Sequence, residues 1–287
     1  MKSYLNLGCG GRYHPAWTNI DIVPQGPDVI QHDLSRGIPL PNASCEVVYH
    51  AAVLEHIRRG EALSLLQECH RVLQPDGIIR VGVPDLERLC RLYLQKLEAA
   101  LDGDRSAAHD YAWIMLELFD QTVREQTGGN MLAYLHQDPL PNERFVYAQI
   151  GEGGRELVQE LRRQSESIQH APATLPKLSF TKLSGRLRQL RKLPELVKDR
   201  LRLWLLGTDG IRALEIGRFR LSGEVHQWMY DRYSLAKLLK DAGFFNPVVQ
   251  SAASSQIPAW DAYHLDTLPD GTVIKPDLFF MEAVKKG

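Results

Sequence analysis

Cysteine is scarce in this chain, and what little there is does not cluster. The four residues, Cys9, Cys45, Cys69 and Cys90, show no CxxC spacing and no grouping with histidines. A disulfide framework and a zinc site are therefore not expected, and a reducing, cytoplasmic compartment fits. Long apolar runs are missing as well. None reaches membrane-spanning length, and the first apolar strand begins four residues in, which leaves no room for a signal peptide in the sequence as given. Charge of one sign is also missing, because the net charge is -1. No global electrostatic argument for specific nucleic-acid binding follows. By contrast, 44% hydrophobic content over 287 residues suffices for a full core, in one enlarged domain or a domain plus a cap.

What is present begins with LNLGCGG, Leu5 to Gly11. A short apolar run enters Gly8 and Gly10, with a third glycine at Gly11, which predicts a buried parallel strand emptying into a turn where backbone can approach a ligand. Asp21 closes a second strand, WTNIDI. Spacing argues against a dinucleotide fingerprint, since position 13 is Tyr13 and Asp21 arrives too early. Between Gly8 and Trp17 there is room for only a very short first helix.

Further strands are expected at DVIQHDL (Asp28 to Leu34), CEVVYHA (Cys45 to Ala51) and GIIRVGVP (Gly77 to Pro84). A helix carrying Leu63, Leu66, Cys69 and Leu73 separates the last two and stops at QPDG. Alternation of this kind predicts a parallel α/β sheet, in which ligands bind at the carboxyl ends of the strands. Gly8, Asp21, Asp33 and His50 all fall there.

Taken together, LNLGCGG, NIDI, HDL, VVYHAAVLEHI and ECHRVLQPDGIIRVGVPD resemble successive motifs of the class I S-adenosylmethionine-dependent methyltransferases, in particular the group called type 11. Asn6 stands where that family's motif has its acid, and Arg12 where it has its last glycine. The resemblance implies a Rossmann-like, doubly wound, mostly parallel seven-stranded sheet with S-adenosyl-L-methionine as cofactor. It further implies that Asn6, Gly8, Cys9 and Gly10 form the cofactor turn and that Asp21, with Ile22 beside it, holds the ribose hydroxyls. Asp33 would hold the adenine amino group, Leu34 would pack on the ring, and backbone at His50 and Ala51 would line the methionine arm. Glu55 and His56, in LEHI, open a helix beside the cofactor; they read either as a catalytic pair or, in the reading taken here, as a locally packed histidine and a helix N-terminal charge.

From residue 86 to 222 strand alternation disappears, and this interval is read as a helical insertion between halves 1–85 and 223–287 of the cofactor domain. It would overhang the reactive end of the cofactor and recognise substrate. Arg124, ahead of Gly128-Gly129-Asn130, is a candidate substrate contact. His136 and Asp138 together do not make a metal site. Residues 177–206 carry nine Lys or Arg against Glu195 and Asp199, with leucines at amphipathic spacing. This stretch reads as a solvated helical hairpin, as a peripheral membrane contact or as a contact to an acidic substrate.

The closing segment predicts a helix with Leu235, Leu238 and Leu239 inward, stopped by Gly243, and then strands PVVQSA and DLFFMEAVKK. His226 sits where cap and closing segment join and is the candidate catalytic base. Trp228 and Tyr230 alternate with it and are candidates for an aromatic methyl-transfer pocket. The expectation is methyl transfer to a small-molecule, saccharide or lipid-linked acceptor, by O- or N-methylation. A cofactor-binding, membrane-docked module without catalysis is the alternative.

Overall fold

The computed structural model describes residues 4–169 and 206–287. Seven strands form one sheet: β1 (Tyr4–Leu7), β2 (Thr18–Asp21), β3 (Val29–Gln31), β4 (Cys45–Ala51), β5 (Leu73–Pro84), β6 (Phe244–Gln250) and β7 (Leu278–Lys285). Their order is β3-β2-β1-β4-β5-β7-β6. The first five run parallel, and β7 is antiparallel to both β5 and β6. Chain direction reverses laterally between β1 and β4, so the strand tips on either side of that switch open a crevice.

No helix joins β1 to β2. Residues 8–17 make turns only, which goes further than the very short helix expected from the spacing. β3 is also shorter than the sequence suggested. Asp33 leaves the strand, caps a single 3-10 turn at Leu34–Arg36, and accepts a hydrogen bond from the Ser35 amide at 3.0 Å. Asn246-Pro247, expected ahead of a strand, lies inside β6, where the register shifts between Phe245 and Val248. A bulge on an edge strand tolerates the missing proline N–H.

One face of the sheet buries leucines of α1 (Arg59–Val72) and α7 (Arg232–Asp241) against β1, β4 and β5. Leu66, Leu235 and Leu239 are fully buried there, and a capping box between Asp231 and Ser234 starts α7. The other face is covered by an excursion between β6 and β7, residues 251–277, rather than by a helix of this kind. Ile257, Trp260 and Leu265 of the excursion pack on Trp17, Val47 and Tyr49. Arg80, fully buried in β5, fixes it in place: the guanidinium bonds Asp266 and Glu282 at 2.8 Å and lies between the Trp260 and Phe280 rings at 4.4 and 4.6 Å. Carbonyls of Ser251 and Ser254 take its remaining protons, at 2.9 Å each. A buried cation is stable in such a place because every donor is used.

Between β5 and β6 lie α2 (Leu86–Leu101), α3 (Arg105–Met115), α4 (Gly129–Leu135), α5 (Glu143–Gln169) and α6 (206–220). Trp113, Leu135, Leu140, Val146 and Val158 give this region its own apolar cluster. α3 continues through a π-turn at Leu116–Asp120. α5 breaks at Gly151, whose φ is 65°, and there its backbone meets the carbonyl of Ile274 so closely that any Cβ would collide. The helical region and the excursion thus touch directly. The basic stretch 177–206 lies outside the described residues except for Leu206. Among the described residues no helix is long and apolar enough to cross a membrane.

Candidate active site

At the carboxyl ends of β1 and β4 two cavities meet. The larger, about 650 Å³, runs from Asp21 and Ile22 past Asp33 and Leu34 to Val53 and His56, and is roofed by Arg220 to Gly223. The smaller, about 590 Å³, is lined by Asn6, Cys9, Gly10, Arg12 and Ala51, and is walled on the excursion side by Asp266 and Lys275. Gly8 and Ala52 line both. Both have positive φ, 60° and 57°, and a Cβ on Gly8 would run into Val53. Sharp backbone at this junction lets the two cavities lie on either side of it.

The turn groups are held by polar side chains behind them. Asn6, buried, donates to the Arg12 carbonyl at 3.1 Å and to Asn19 Oδ1 at 3.3 Å. Asp21 accepts from the amides of Gly10 and Val23, both at 2.8 Å. Each carboxylate oxygen keeps a lone pair for a hydroxyl. Ile22 is 57% exposed toward the same cavity. Hydrogen bonds from the Ser35 side chain and then from its amide lead the causes that hold the Asp33 carboxyl below its usual range. Burial pushes the Cys9 thiol up to about 11, so it is a packing group rather than a nucleophile.

Residues 5–81 match the family model described as methyltransferase domain. Over these residues the chain is similar to that methyltransferase domain. A 56-residue stretch is 38% identical to a Mycolicibacterium smegmatis protein described as a probable S-adenosylmethionine-dependent methyltransferase. The match spans 20% of this chain and 21% of that relative. Among solved structures, a methyltransferase from Thermotoga maritima is similar over 99% of this chain and 82% of its own, with 11% identity and a TM-score of 0.39. One from Archaeoglobus fulgidus is similar over 98% and 85%, at 9% identity and a TM-score of 0.36.

The cofactor of such a domain is S-adenosyl-L-methionine. The residues present fit it, since an acidic group with free lone pairs, an apolar pair at Ile22 and Leu34, and an open glycine turn occupy one continuous cleft. Gly10 has nothing within 4 Å of where a side chain would stand, so a ligand can lie against its backbone.

Beyond the methyltransferase domain's cleft the predicted residues part company. His50 is fully buried with both ring nitrogens unpartnered, and burial lowers its pKa to about 4; Ala51 lines the cleft and His50 does not. Arg124 sits elsewhere. Its guanidinium meets Asp120 at 3.7 Å and Glu224 at 3.3 Å, and it borders a separate pocket of about 220 Å³ in the helical region. Trp228 is 40% exposed, with the Arg59 guanidinium 4.5 Å over its ring. Tyr230 is buried, and its hydroxyl, pushed up to about 12 by burial and then by Glu55, has no partner.

His226 packs edge-on against His56, ring centres 4.8 Å apart. Its backbone amide bonds Gln121, and those of Gln227 and Trp228 bond the Glu55 carbonyl. Burial, then His56, Arg124 and Lys275, lower the His226 pKa to about 3. At that value the ring is neutral at ordinary pH, with one ring nitrogen's lone pair free.

Sequence reading missed the burial of Glu55 and two further residues of this site. Glu55 stands in the first turn of its 3-10 helix, as read, yet faces the interior: it is 1% exposed, and burial raises its pKa to about 8. Asp266 and Lys275 come from the excursion, and their only local signal is the turn-rich, strandless run between β6 and β7.

Proposed function

We propose that the chain is an S-adenosylmethionine-dependent methyltransferase that moves a methyl group to a hydroxyl or amine of a small-molecule, saccharide or lipid-linked acceptor. The observation that carries this reading is the junction at Gly8 and Ala52, where a cavity edged by Asp21 and Asp33 opens both to the glycine turn and to His56. Adenosine lies in the larger cavity, with Asp21 on the ribose and Asp33 on the adenine. The methionine arm passes over Gly8 and Gly10 toward Ala51.

A sulfonium methyl is electrophilic without help, so positioning and exclusion of water supply most of the catalysis. When bound, S-adenosyl-L-methionine would supply the methyl group to the acceptor's lone pair and keep the electron pair on its sulfur, and the acceptor's proton would leave to solvent. His226, with His56 beside it, is the candidate catalytic group on the acceptor side. Trp228 and Tyr230 bound the acceptor side.

Calorimetry with S-adenosylhomocysteine and an acceptor screen with methyl-labelled cofactor test the reading. Micromolar binding and label transfer are expected, and absence of binding removes the proposal. The His226→Ala variant is expected to lower turnover while leaving S-adenosylhomocysteine affinity within about twofold.

A further inference from the structure

The fold assembles, at the acceptor end, a donor set that spacing along the chain does not show. Glu55 and His56 sit on a 3-10 turn after β4, and His226 comes from the segment ahead of α7. One ligating atom from each lies within 4.8 Å of the others. The two carriers are bonded backbone to backbone, Gln227 to Glu55 at 2.6 Å, so the grouping does not depend on flexible side chains alone.

Two of these side chains are incomplete. Glu55 is 1% exposed, yet its Oε2 meets no hydrogen-bond donor, and Nδ1 of His56 is also buried and unpartnered. A buried polar atom without a partner is unfavourable, and an anionic one more so, unless a cation completes it. Of the nearby positive groups, Arg124 is taken by Asp120 and Glu224, and exposed Lys275 acts on Glu55 through space without an ion pair among the described residues. Meanwhile Glu117 and Asp277 add buried carboxyls to the same neighbourhood, each pushed up chiefly by burial.

We propose that Glu55, His56 and His226 bind one first-row divalent transition-metal ion beside the methyl-transfer centre. Two neutral imidazoles and one carboxylate suit zinc, manganese, cobalt or iron and leave coordination positions open, whereas magnesium prefers oxygen alone. Ligand atoms at about 2.1 Å from a metal stand about 3.4 Å apart, so the side chains close by roughly 1 Å on binding. His56 lines the larger cavity, so the ion would border the cleft. An acceptor hydroxyl bound there would lose its proton to water more readily. This last step rests on the methyl-transfer reading, and binding of the ion does not.

The full chain, stripped with chelator, is titrated with cobalt(II) and followed by visible absorption and calorimetry. One ion per chain is expected, with Glu55→Gln and His226→Ala each weakening it at least about tenfold while S-adenosylhomocysteine affinity stays within about twofold. If His226→Ala fails to fold, judged by near-UV circular dichroism, His56→Gln takes its place with the same expected loss. Magnesium should not compete. A wild-type chain that takes up no cobalt, or variants that bind it as tightly as wild type, overturns the proposal and leaves Glu55 as a buried neutral acid. Cobalt uptake by a chain that ignores S-adenosylhomocysteine would keep the ion site and remove the methyl-transfer reading.

Discussion

In the adenosine half of the cleft, Asp21 and Asp33 already accept backbone amides, and the groups left over point into open space. In the acceptor half, buried Glu55 and Tyr230 and half-buried His56 each carry a buried polar atom that meets no partner among the described residues. The first half is finished before any ligand arrives, because strand tips that are consecutive in sequence supply both the ligand groups and their support. The second half is drawn from residues 55–56, 225–230 and 275–277, and it carries a cost that only an occupant can relieve. The excursion that walls this second half depends on Arg80, which reaches Asp266, 186 residues further along the chain.

The strongest way to break the contrast is to remove that support. Arg80→Ala leaves Asp266 and Glu282 buried without their cation and is expected to lower unfolding free energy by about 3–5 kcal/mol. Urea denaturation measures it. A loss under about 1 kcal/mol would mean that the excursion is held by its apolar contacts alone.

Next in size is Asp21→Ala. Losing the charge-assisted contact to two hydroxyls is expected to weaken S-adenosylhomocysteine about 100-fold, near 2.7 kcal/mol, with a smaller loss of stability from the freed Gly10 and Val23 amides. Calorimetry with unchanged affinity would take Asp21 out of the adenosine half.

That half was readable in the sequence for a physical reason. LNLGCGG, Asp21 and Asp33 are local signals, each made by a strand and the turn that directly follows it, and parallel order puts them side by side. The β4 boundaries, Cys45 to Ala51, and the Gly243 stop were legible on the same ground. Arg80 was not. An arginine within a valine-rich strand looks like an outward-facing residue until the excursion folds over it. Glu55 was read as a helix-end charge because burial depends on Gln227 and Trp228 arriving from far along the chain. The missing helix after β1 is the intermediate case: spacing showed that little room remained, and the turns then closed through Asp21 instead.

The pH dependence sharpens the same contrast. Glu55 has its carboxyl raised to about 8 by burial, above the ordinary 4.5, so the folded state holds a proton that the unfolded state has lost. Stability contributed by this group is present at low pH and falls as pH rises through that interval. His226 and His50 act oppositely, since their lowered values weaken the fold only below the ordinary 6.5. From pH 6.5 to 8 the carboxyls therefore dominate. In metal-stripped protein, Glu55→Gln should flatten the decline across that window by up to about 2 kcal/mol, with Glu117 keeping its own share. Identical slopes in the variant and wild type would place the Glu55 carboxyl in contact with solvent.

The smallest effect is expected at Trp228, whose backbone amide bonds the Glu55 carbonyl. Its ring is 40% exposed and carries the Arg59 guanidinium 4.5 Å above it. An exposed contact of this kind contributes about 0.5–1 kcal/mol, so Trp228→Ala should shift the melting temperature by only a few degrees. If the ring bounds the acceptor without touching the reacting atoms, the variant raises KM for the acceptor several-fold and leaves kcat and S-adenosylhomocysteine affinity as they were. A fall in kcat at unchanged KM would instead move the ring next to the methyl group, and the acceptor half would then begin closer to the strand tips than His56 and His226 indicate.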